Sequence, residues 1–138
     1  MNIKQFNDWL SSDNKQSLIM GILNVTPDSF SDGGQYFDKN VAVEHALAMI
    51  RNGANIIDIG GESTRPFSDP VSLDEEISRV IPVIKGIRKK SDVCISIDTT
   101  KSMVASEALN GGASIINDVS AMEVDPVSYT HLRAHETS

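Results

Sequence analysis

The chain has a single cysteine, Cys94. One thiol cannot close an internal disulfide, and its place inside an apolar run marks it as an inert core residue. No apolar stretch approaches the roughly 18 residues of a membrane span, and no basic-then-apolar leader opens the sequence. Both absences read as a cytoplasmic protein. Positive charge is scarce: 12 Lys+Arg stand against 19 Asp+Glu, a net charge of −7. That argues against a nucleic-acid or anionic-membrane surface, while leaving room for a locally positive pocket. No Ser/His/Asp or Cys/His arrangement offers a nucleophile, and there is no zinc-type cluster. His131 and His135 are four apart but lack a third ligand. What is present is an ordinary globular composition, 40% hydrophobic and 22% charged over 138 residues, enough for one domain and its core.

The most informative segment is Met20–Gly34. An apolar run stops at Asn24 and becomes a loop rich in hydroxyls, carboxylates and glycine, as when a buried strand ends facing a ligand. Pro27 and Gly33-Gly34 exclude helix or strand through that loop, which reads as a mobile cover. The pattern returns. Leu18–Leu23, Asn55–Ile59, Val93–Ile97 and Ser114–Ile116 are short apolar runs, and helical patterns lie between them. Val41, Ala42, His45, Ala46, Met49 and Ile50 mark the buried side of the first. Ser72 with Glu75 predicts a capping box for the second, with Ile77, Val80, Ile81, Ile84 and Ile87 as its stripe and Pro82 as a kink or break. The third runs from near Thr100 through Val104, Ala105 and Leu109 to Gly111-Gly112. Strands apolar on both faces, each followed by a helix, predict a parallel sheet buried by helices.

Gly53-Ala54-Asn55-Ile56-Ile57-Asp58 repeats as Gly112-Ala113-Ser114-Ile115-Ile116-Asn117, an offset of 59. Two helix-to-strand joints in any parallel sheet would look alike. However, Asn24, Asp58, Asp98 and Asn117 all fall at predicted strand ends. Burying an unpaired polar group costs about 1–3 kcal/mol, so four in succession indicate convergence on one polar pocket, as at the upper face of a (β/α)₈ barrel. A doubly wound sheet is the alternative, but no Gly-x-Gly-x-x-Gly follows the first strand. Asp98 and Asn117 suit a flat heterocycle bearing N–H and amino groups. Asn24 suits a hard cation or a phosphate. In Gly60–Pro66, small residues, hydroxyls and Arg65 suit phosphate or carboxylate recognition. The chemistry reads as electrostatic help to a leaving group.

Met20–Gly34, Asp58–Pro66, Ser96-Ile97-Asp98-Thr99 with Lys101, and Ile116-Asn117-Asp118 resemble, in order, the signatures of the dihydropteroate synthase family over Leu18 to Pro126. The resemblance implies a TIM (β/α)₈ barrel, represented by about its first four βα units. It implies condensation of hydroxymethyl-dihydropterin diphosphate with para-aminobenzoate, releasing diphosphate with Mg²⁺. By position, Asn24 would meet the Mg²⁺–diphosphate, Asp98 and Asn117 the pterin, and Thr64 the diphosphate. Phe30, Asp32, Ser63 and Arg65 would belong to two mobile loops shaping the aminobenzoate pocket, with Asp32 and Arg65 serving the reaction. Asp32 could instead simply cap the turn at Gly33. Asp58 would orient neighbouring groups, and Glu62 would do the same or satisfy loop amides.

Departures accompany the likeness. Phe67 stands where the family usually has glycine, and Thr100 replaces a commonly larger residue. The family's later lysine, second pterin aspartate and Arg-x-His segment have no counterpart. Residues 127–138 lack an apolar stripe and read as a foreign or out-of-frame tail after an N-terminal extension (1–17) and a half-barrel (18–126). The complete family enzyme is expected to be a homodimer. Phe6, Trp9 and Leu10 are placed to plug the barrel's bottom. Two other readings stand beside the synthase: a non-catalytic pterin- or diphosphate-binding half-barrel, and a relative of the methyltetrahydrofolate–corrinoid methyltransferases.

Overall fold

The computed structural model describes residues 1–26, 38–62 and 71–117. Its elements run α1 (Ile3–Ser11), β1 (Met20–Asn24), α2 (Lys39–Arg51), β2 (Ile56–Gly60), α3 (Leu73–Lys90), β3 (Cys94–Asp98), α4 (Ser102–Gly111) and β4 (Ile115–Asn117). The four strands are parallel and neighbour one another in sequence order. Right-handed crossovers in unbroken order lay every connecting helix on the same side of the sheet. A doubly wound sheet would reverse its order at a switch point, so this topology is that of a barrel wall.

One side of the sheet carries the main core. Leu23, Ile57, Ile59, Ile95 and Ile97 are fully buried against Ala42, Ala46, Val80, Val83, Ile84, Ile87, Val104 and Ala108 from the helices. Each such isoleucine or leucine contributes about 1.5–3 kcal/mol by leaving water. Close approaches set the helix positions. A Cβ on Gly61 would come within 2.9 Å of Val80 Cγ1, and one on Gly86 within 2.7 Å of Val43 Cγ2. On the other side, α1 lies under the strands' starting ends. Phe6 packs there with Ile56, Cys94 and Ile115, flanked by Trp9, Leu10 and Leu18. The expected plug is therefore present.

Several expectations shift. Each strand ends one residue later than its apolar run, because the next residue (Asn24, Gly60, Asp98 or Asn117) still pairs through its backbone. The capping box is half formed: Ser72 Oγ accepts from Glu75 N at 3.2 Å, but the Glu75 carboxylate takes Arg79 at 2.6 Å. Helix α3 runs through Pro82 without interruption. Val80, Val83 and Ile84, all fully buried on either side of it, hold both halves against the sheet. His45 is exposed, not on the buried side of α2, where Ala42, Val43 and Ala46 face the core. The repeat is real in three dimensions. Gly53 (φ 110°) and Gly112 (φ 128°) both take the left-handed conformation, and Ala54 N and Ala113 N each reach back five residues, to Met49 O and Ala108 O.

Candidate active site

Strand register assembles the polar ends. Asn24 pairs with Gly60, Gly60 with Asp98, and Asp98 with Asn117. Residues level with one another on in-register strands project from the same face. Asn24, Asp98 and Asn117 thus form one row on the face opposite α2–α4, with a gap at Gly60. A row lower stand Ile22, Asp58, Ser96 and Ile115, and below them Met20, Ile56 and Cys94. The arrangement is a cup with polar rim and apolar foot.

Asp58 needs correction. It is the third residue of β2, not its end, and it lies buried beneath the row. Its Oδ1 accepts from the Ser96 hydroxyl, buried on β3, and from Asn117 Nδ2 at 3.3 Å. Burial pushes the Asp58 carboxyl above the usual carboxylate range, and the two hydrogen bonds only partly oppose it. Asp98, at the rim, is exposed.

Beside the cup lies an ionic brace that the sequence reading missed. Lys101 Nζ donates to Glu76 Oε1 at 2.7 Å and to Glu62 Oε2 at 3.1 Å. Thr99 Oγ1 donates to Glu76 Oε2 at 2.7 Å, and Lys101 N donates to Thr99 Oγ1 at 3.1 Å. Glu62 also accepts from Val71 N at 3.2 Å, joining the two flanks of residues 63–70. Arg79 Nη1 caps Gly61 O at 2.9 Å. The Glu76 hydrogen bond leads in holding the Lys101 ammonium above its ordinary range. Burial acts to raise Glu62, but Lys101 and the Val71 amide outweigh it, and the carboxyl lies below its ordinary value. The signal for Glu76 was its spacing: it is in phase with Val80, Ile84 and Ile87, on the face where a carboxylate needs a partner.

Phe30 and Asp32 fall in residues 27–37, and Ser63, Thr64, Arg65 and Phe67 in 63–70; all lie outside the described residues, as do Asp118, His131, His135 and 127–138. Their neighbours are placed at the rim. Val25 N donates to Gly60 O at 2.8 Å just beyond β1, and Asp38 caps α2 through Asn40 N at 2.8 Å. Among the described residues no three His, Cys, Asp or Glu side chains gather as a metal site. Asn24 offers one hard oxygen at an open strand end. That fits an ion delivered on a diphosphate whose own oxygens fill much of its shell. No helix among the described residues is long and apolar enough to cross a membrane.

Residues 20–138 match the family described as pterin binding enzyme. The chain is 61% identical to the dihydropteroate synthase of Bacillus subtilis over 112 residues, which are 81% of this chain and 39% of that protein. It superposes on Xanthomonas albilineans dihydropteroate synthase with 4-aminobenzoic acid (TM-score 0.75, 44% identity, 86% of this chain and 44% of that one). It also superposes on that organism's enzyme in complex with 7,8-dihydropteroate (TM-score 0.71, 40% identity, 87% and 43%). The chain spans about two-fifths of the length of the curated relatives it matches.

Proposed function

Because the chain belongs to the pterin binding enzyme family, we propose that it provides the pterin-gripping and diphosphate-facing part of a dihydropteroate synthase working in the cytoplasm. The observation that carries the reading is the row Asn24, Asp98, Asn117 over buried Asp58, on the face free of α2–α4. Acceptor groups at Asp98 and Asn117 complement the N–H and amino edge of a pterin. The C–O bond to diphosphate breaks with its electron pair, leaving a pterin-stabilised cation. The para-aminobenzoate amine attacks that carbon, forms the C–N bond and gives up a proton. Mg²⁺, when bound, would neutralise charge on the departing diphosphate, with Asn24 as its protein contact. Thr64 is assigned to the diphosphate, Asp32 to the cation, and Arg65, Ser63 and Phe30 to the aminobenzoate pocket. Identity of 61% to a synthase favours this over the corrinoid methyltransferase reading.

A second reading is binding without turnover, which the rim of Asn24, Asp98 and Asn117 would serve equally well. The test is diphosphate release from pterin diphosphate and Mg²⁺, with and without para-aminobenzoate. It is run on this chain alone and after joining the remaining three-fifths of the Bacillus subtilis relative. Aminobenzoate-dependent release that disappears in Asp98→Ala supports the synthase. Pterin binding with no release even in the joined protein supports the binder. Absence of both overturns the proposal.

A further inference from the structure

An asparagine at a binding site is ambiguous, since its amide can present either an acceptor or a donor to a ligand. The interior of this sheet removes the ambiguity at Asn117. Asp58 sits one row lower on β2 and takes Asn117 Nδ2 at 3.3 Å. The same carboxylate oxygen takes the hydroxyl of Ser96, which is fully buried. An ionised carboxylate only accepts, so both neighbours must turn their donors toward it. The planar amide then has its carbonyl oxygen on the arm away from Asp58. The residues that bond are also the matching final positions of the two repeats, 59 apart. A pattern that looked like ordinary joint geometry in the sequence thus places a carboxylate and an amide to meet.

We propose that Asp58, held by Ser96, is a positioning residue that fixes the Asn117 amide with its carbonyl oxygen toward the cup, so that this position reads a hydrogen-bond donor on the ligand. Together with Asp98, it makes the rim of β3 and β4 an acceptor surface, selective for a heterocycle edge carrying N–H groups. The identity of that heterocycle rests on the pterin reading; the orientation of the amide does not.

The test has two arms. The first uses the ¹⁵N-labelled chain without ligand and compares side-chain Nδ2 proton exchange at Asn117 with that at exposed Asn110. Protection at Asn117 should be about tenfold, the effect of one ordinary hydrogen bond, and should vanish in the near-isosteric Asp58→Leu, which offers no acceptor. Equal exchange at Asn117 and Asn110 in the wild type overturns the proposal. The second arm measures Kd for 7,8-dihydropterin, pterin and lumazine, which lose the N8–H donor and then the 2-amino donor in turn. The wild type should weaken about tenfold or more at one step, as for a lost hydrogen bond, and Asp58→Leu should shrink that step to about threefold or less. The swap Asp58→Asn with Asn117→Asp reverses the bond while keeping an acceptor toward the cup, and should restore the step. A step unchanged in Asp58→Leu overturns the proposal and leaves Asp58 a packing residue. If the wild type binds none of the three, the pterin reading fails, and the exchange arm alone decides the amide's orientation.

Discussion

At the scale of residues, the charged groups divide by what surrounds them. Glu76 is 1% exposed and tolerates its charge only because Lys101 and Thr99 hold it. Lys101→Met should therefore lower stability by about 3 kcal/mol, the cost of stranding a buried charge, and adding Glu76→Gln should return much of it. Urea unfolding of the single and double variants measures both. The carboxyls of Glu62 and Asp58 have opposite pH signatures. Glu62, lowered in the folded state, adds stability above its ordinary 4.5 that is lost as pH falls through its folded value. Asp58, raised, adds stability that is full below 3.8 and lost as pH rises through its folded value. Asp58→Asn should accordingly gain stability relative to the wild type as pH rises from 3.8, visible in urea midpoints across the acid range. The rim residues Asn24, Asp98 and Asn117 were legible because a polar side chain abruptly ends an apolar run. Glu76 was not, because its partners lie on segments distant in sequence, and only the fold brings Thr99 and Lys101 to it.

At the scale of elements, periodicity carried most of the reading. The alternation in β3 sends Ile95 and Ile97 to the helices and Cys94, Ser96 and Asp98 to the other face, as a two-residue period requires. Helix α2 shows the limit. Its small residues Ala42 and Ala46 define the buried stripe, and the larger His45 and Val41 beside them fall outside it. Spacing gives the stripe's direction, but the width is set by how closely α3 approaches. Gly86 against Val43 marks that approach. Gly86→Ala should cost about 1–3 kcal/mol by overpacking, and Val43→Ala in the same chain should relieve part of it. The two joint glycines allow a cleaner comparison. A Cβ at Gly53 meets nothing within 4 Å, whereas at Gly112 it comes 3.0 Å from Arg88 Nε. Gly53→Ala reports the left-handed backbone alone, and Gly112→Ala should lower the melting temperature further by disturbing the Arg88 bonds to Val93 O and Gly112 O.

At the scale of the whole molecule, the sheet is a wall with two unlike sides. The helix side is closed by the main core, whereas Met20 and Ile22 on the inner side of β1 are 43% and 54% exposed. Exposed apolar side chains beside a strand paired on one side invite association. Light scattering on the isolated chain should show mass increasing with concentration, and Ile22→Thr should weaken that increase. Barrel topology was legible from strand–helix alternation and the absence of a dinucleotide glycine motif. The bracing of β2, β3 and α3 through Lys101 was not, because ion pairs leave no period in a sequence. The burial of Cys94 reaches beyond stability. Its thiol, 1% exposed and pushed up to about 11 by loss of water contact, is almost wholly protonated at neutral pH and shielded from reagents. A cysteine introduced at an exposed position, for instance Asn110→Cys on α4, would then be the sole thiol to take a maleimide dye. The folded chain comes ready for single-site fluorescence, with its native cysteine left in place.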